Sequence, residues 1–136
     1  MHISRRGLLA TSSVLMLLGA VAHTAGNLLP PSDPAVIASY SGMKASHPQV
    51  GMGMNPSMFD VHMLLVLTMT VTFAALALLN LALLRVISDQ ALQRVVWINV
   101  MWVAVFTSLC AFYQVPPPLI SGILIELPLA AALLVK

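Results

Sequence analysis

The chain has 136 residues, of which 60% are apolar and only 7% charged, with a formal net charge of +2. An ordinary soluble domain carries about 25% charged residues, and one this small has too much surface to cover with so few, so the composition argues against a soluble enzyme or a disordered chain and for one integral membrane domain spanning 1–136. No Lys/Arg cluster offers a footprint for nucleic acid, and the single Cys110 supplies neither a disulfide nor a Cys-x-x-Cys site.

At the amino terminus Ser4-Arg5-Arg6-Gly7-Leu8-Leu9 precedes an apolar run, and Ala20-Val21-Ala22 has the small-x-small form of a signal-peptidase site. Two readings stand side by side. The segment resembles a twin-arginine export leader. Alternatively, Arg5 and Arg6 anchor an uncleaved first span over 7–29, which the continuation through Ala25, Leu28 and Leu29 favours. Cleavage after Ala22 would leave His23 as a new amino terminus, able to clasp copper.

Residues 30–57 are expected to form one long outer loop, with a short interfacial helix opening at Asp33-Pro34 and extending to Ala38. Its second half gathers His47, Met52, Met54 and Met58 within 12 residues. Thioethers and imidazoles are soft ligands that suit Cu(I). Methionine is also an adaptable apolar filler, and that plainer role competes.

The second span is expected over 58–86, opened by a capping box in which Ser57 and Asp60 stand three residues apart. A third follows over 91–113, ending before Pro116-Pro117-Pro118, and a fourth over 119–135, which barely crosses a hydrocarbon core of about 30 Å. With four crossings, Arg5, Arg6, Arg85, Arg94 and Lys136 fall on one side and only Lys44 on the other. Under the positive-inside rule this places both termini in the cytoplasm of a bacterial inner membrane. The fold expected is therefore all-α, a four-transmembrane-helix up-down bundle with one long outer loop.

Polar groups inside a bilayer are costly, so each is a candidate site. The topology gathers His23, Asn27, Asp60, His62, Tyr113 and Gln114 in the outer layer, with Glu126 about 10 Å deeper. Glu126 lacks a Lys or Arg at its depth and needs an imidazole partner, His23 or His62, or a proton. Together His23, His62 and Glu126, with Asp60, could hold zinc, iron or manganese, the two imidazoles alone could ligate a haem, or the cluster could line a small-molecule or quinone-like pocket. The plainer alternative is a set of interhelical hydrogen bonds, with Asp60 spent on its cap. Asn80 and Asn99 are placed to form a second link near the opposite side. Gly19 and Gly26 are expected to mark close helix packing, and Trp102, Phe106 and Tyr113 to share a packing surface.

The elements Gly19-Ala20-Val21-Ala22-His23, Leu29-Pro30-Pro31-Ser32-Asp33-Pro34 and Met58-Phe59-Asp60-Val61-His62 resemble an uncharacterised family of short four-helix bacterial membrane proteins. That resemblance covers the first two spans and implies no activity. The expected role is an accessory, binding or oligomer-forming protein, partnered by the lipid bilayer and by a second copy or a larger membrane complex. The alternative is a metal- or haem-binding redox protein with its site at the outer mouth.

Overall fold

The structure, a computed structural model, describes residues 4–49 and 51–135. Among the described residues there are five helices: α1 (Arg5–Leu28), α2 (Pro34–Ala45), α3 (Met58–Leu83), α4 (Asp89–Phe112) and α5 (Pro116–Leu134). All but α2 are long and apolar enough to cross a membrane, which is consistent with a multi-pass topology. The expected four-helix description needs correction to five, because the loop after α1 holds a helix twice as long as the short one anticipated. Asp33 caps it by accepting from Ala35 N at 2.8 Å, and Pro34 sets φ for its first turn. No residue of α2 is buried.

Several boundaries also move. Ser88 accepts from Ala91 N at 3.3 Å and starts α4 two residues earlier than expected, while α3 stops at Leu83 and its last carbonyls enter a tight turn. α5 takes Pro116, Pro117 and Pro118 into its first turn. Their missing N–H groups would have had no intrahelical acceptor there. The same three prolines that punctuate the sequence therefore open a helix. α4 closes with a Schellman motif: Val115 N donates to Cys110 O at 2.9 Å and Gln114 N to Ala111 O at 3.2 Å. Gln114 occupies the left-handed position usually given to glycine, at φ 55°.

The chain divides into two compact units, Met1–Ala20 with Thr72–Lys136, and Val21–Val71. The first contains α4, α5, most of α1 and the second half of α3. Its core is Leu9, Met16, Leu92, Val96, Val103 and Leu129, each at most 2% exposed. On α5 the buried positions Gly122, Ile125, Leu129 and Ala132 recur every three or four residues, which marks one helix face. The opposite faces are apolar as well, with Leu78, Leu124 and Leu127 exposed. An outward apolar surface suits hydrocarbon as solvent. Phe73 meets Trp102 and Phe106 edge-on, with ring centroids 4.6 and 4.9 Å away, and Trp102 stacks on Phe106 at 6.1 Å. Tyr113 stands outside this aromatic group, being 69% exposed at the end of α4.

The two arginines that open α1 tie helix ends together within this unit. Arg6 donates to Leu84 O at 2.6 Å and Ile87 O at 2.7 Å, the orphan carbonyls after α3, and pairs with Asp89 at 2.9 Å. Arg5 donates to Ala132 O at 3.0 Å and to Val135 O at the end of α5. The start of α1, the end of α3, the start of α4 and the end of α5 therefore meet at one end of the unit, as an up-and-down path requires. Lys136, used in the charge argument, lies outside the described residues.

The second unit comprises the last turns of α1, α2, the first half of α3 and the loop between α2 and α3. Tyr40 packs edge-on against Phe59 at 5.2 Å, and Lys44 Nζ sits 4.9 Å from the Phe59 centroid. Thr24 and Thr70 share a hydroxyl hydrogen bond of 2.8 Å between α1 and α3. The loop closes at its neck, where Met58 N donates to Ser46 O at 2.7 Å.

Candidate functional site

The polar side chains of the spans divide into those spent on structure and those with enclosed atoms left over. Asn80 and Asn99 belong to the first group. Each is 1% exposed. Asn80 Nδ2 donates to Asn99 Oδ1 at 2.8 Å, Asn99 Nδ2 returns a bond to Asn80 Oδ1 at 3.1 Å, and Asn99 also donates to Val95 O at 2.8 Å. The expected link is formed, and it is reciprocal because each amide carries both a donor and an acceptor. Ser12 Oγ donates to Ile125 O at 3.1 Å, a bond from α1 to the α5 backbone that sequence alone did not indicate.

Asp60 is spent on its helix. Its Oδ2 accepts from Ser57 N at 2.8 Å and from Ser57 Oγ at 2.7 Å, and Ser57 Oγ accepts from Asp60 N at 3.1 Å. This is the capping box read from the spacing. Asn27 Nδ2 donates to His23 O at 2.8 Å, one turn back on its own helix.

Three of the candidates keep enclosed atoms without a hydrogen-bond partner: His23 Nε2, His62 Nε2 and Glu126 Oε2. His23 and His62 both belong to the second unit and lie near enough to interact electrostatically. The His62 ring is flanked by Tyr40 at 6.0 Å and Phe59 at 6.4 Å, so α2 and the start of α3 shelter it. Neutral imidazole offers a lone pair on one nitrogen, which is the atom a transition metal takes. Among the described residues no group of three or more His, Cys, Asp and Glu is arranged to hold a metal ion, so any metal here would rest on the two imidazoles and ligands of other kinds.

In the methionine-bearing loop His47 Nδ1 lies 3.2 Å from Asn55 O, an interaction that folds the loop on itself. Gly51, Met52 and Gly53 are all left-handed, with φ of 78°, 55° and 72°. Glycine adopts this region freely and methionine does not. Met52 is 93% exposed at that tip, Met54 59% and Met58 39%.

The glycines expected to mark close packing do not do so. A Cβ on Gly26 would meet nothing within 4 Å, and one on Gly19 would only touch Ile125 at 4.0 Å. The tight approach is at Gly122, where a Cβ would collide with Thr107 Oγ1 and stand 3.3 Å from Thr107 Cβ. A lone glycine in an otherwise bulky apolar run was the available signal. No family model, no curated protein and no solved structure gives a significant match to this chain, so what it does must be argued from these residues.

Proposed function

We propose that this chain is a small accessory, binding or oligomer-forming protein of a bacterial inner membrane, with both termini cytoplasmic, rather than an enzyme. The observation that carries the reading is how little of each span is covered. Only 22–28% of the apolar window of each spanning helix is buried within the chain. Other residues are partly covered, and large apolar side chains such as Leu18, Leu64, Leu78, Ile98, Val105 and Leu127 stay exposed, as surface for lipid or for other helices, while most of the polar side chains described above are spent on capping and on tying helices. Native mass spectrometry of the full chain released from lipid nanodiscs tests this, with a stable oligomer or a co-purifying membrane subunit expected. A monomer at all concentrations, with nothing co-purifying, would overturn it. Orientation is tested in a C110A background with impermeant maleimide on intact cells. S41C should react at once and S88C only after permeabilisation, and reaction of both from the same side would reject the topology.

A second reading is favoured by the two partnerless imidazole nitrogens. In it His23 and His62 ligate zinc, copper or a haem, and for copper the exposed loop with His47, Met52, Met54 and Met58 offers further soft ligands. A Soret band, or about one metal equivalent lost in H62A, would support it. A colourless, metal-free protein after growth with added copper, zinc and haem precursor would remove it.

A further inference from the structure

Two enclosed polar atoms of the first unit are used by nothing above. Thr107 Oγ1 on α4 and Glu126 Oε2 on α5 each lack a hydrogen-bond partner. They share one seam. α4 and α5 pack directly on each other, and Gly122 marks their close approach beside Thr107 and Phe106. Glu126 follows Gly122 by four residues, so it lies on the same face of α5, about 6 Å further along the axis. Ile125 and Ala132 present the adjacent face to α1, through the bonds to Ser12 and Arg5. Helical side chains lean back toward the N-terminus of their helix. That direction carries the Glu126 carboxyl toward Gly122, and so toward the Thr107 hydroxyl. Residue 122 itself has no side chain to occupy the space beside Thr107 Oγ1.

Among the described residues of the unit no Lys or Arg is ion-paired with Glu126, and Arg85 lies in the turn beyond the end of α3. Arg5 and Arg6 are engaged at helix ends, and Arg94 lies about 20 Å from Thr107 along α4. An anion in hydrocarbon without a counter-charge is strongly disfavoured. An internal water is stable where two or more polar groups converge on it.

We propose that Glu126 and Thr107 form a proton-binding site within the membrane-embedded seam of α4 and α5. The carboxyl carries the proton, donates it in a hydrogen bond to one internal water, and the water donates in turn to Thr107 Oγ1. The ligand is a proton, and the rival occupant is a monovalent metal ion, which would hold the carboxylate ionised.

Infrared spectroscopy of the full chain in bilayers at neutral pH tests this directly, because only Asp33, Asp60, Asp89 and Glu126 bear side-chain carboxyls. A carboxylic-acid carbonyl band is expected in the native protein, absent from E126Q and moved to higher wavenumber in T107V, which keeps the shape and loses the hydroxyl. Absence of the acid band from the native protein would overturn the proposal, and a band unmoved in T107V would overturn the water link. Should E126Q fail to fold, the native and T107V spectra still decide the matter. Dicyclohexylcarbodiimide, which adds to protonated carboxyls in apolar surroundings, should label Glu126 once per chain whether or not sodium or potassium is present. Suppression by either cation would show a metal ion in place of the proton.

Discussion

The reciprocal amide pair between α3 and α4 allows an asymmetric test. Replacing Asn80 with Leu removes one bond donated to Asn99 and one accepted from it, but leaves Asn99 its bond to Val95 O. Replacing Asn99 with Leu removes both partners that the Asn80 amide has in this pair. Interhelical hydrogen bonds in membranes average about 0.6 kcal/mol and reach about 1.7, so the pair contributes about 1–2 kcal/mol. Stranding a buried polar group costs about 1–3 kcal/mol. N80L should therefore cost about 1–2 kcal/mol and N99L about 2–3 kcal/mol. The double variant should cost less than the sum of the two by about 1–2 kcal/mol, since neither amide is then left unsatisfied. The assay is reversible unfolding in mixed dodecylsulfate and maltoside micelles, followed by tryptophan fluorescence, because Trp102 sits on the same helix as Asn99, packed against Phe73 and Phe106. Additivity within about 0.3 kcal/mol would mean that the two amides do not interact. Equal costs for the two single changes would refute the bookkeeping by donors and acceptors.

Other outcomes follow from the same structure. In R6A the carbonyls of Leu84 and Ile87 lose a charged donor, and thermal unfolding should register a loss of about 2–3 kcal/mol; D89N should cost less than about 1 kcal/mol because that carboxylate is 85% exposed. G122A should destabilise by about 1–3 kcal/mol through overpacking against Thr107, with much of the loss recovered in G122A/T107A; no recovery would place the clash elsewhere. Q114G should raise stability by about 0.5–1 kcal/mol by relieving the left-handed residue after α4, measured in the same micelle titration. M52G should leave stability unchanged or slightly raised for the same reason, and a marked loss would mean that the thioether makes contacts its exposure does not suggest.

Much of the architecture was legible in the residues alone. The apolar runs, the scarcity of charge and the Ser57–Asp60 box are local properties, and the physics behind them acts within a turn of helix or along a single segment. The link between Asn80 and Asn99 could also be anticipated, because a short turn makes α3 and α4 antiparallel neighbours and an amide in hydrocarbon seeks another. What depended on three dimensions was which groups meet when the chain folds back. In one dimension the Arg5–Arg6 pair reads as the anchor of a retained first span or as an export leader. In the fold it satisfies carbonyls about 80 and 130 positions away, and no local pattern encodes such a partner. Gly19 and Gly122 are alike as letters, yet only Gly122 faces a neighbour too close for a methyl group. The second face of a membrane helix is apolar too, so hydrophobic periodicity, which orients a helix in a soluble protein, is nearly silent here. Packing geometry alone decided which side of α5 would set Gly122 against Thr107 of α4.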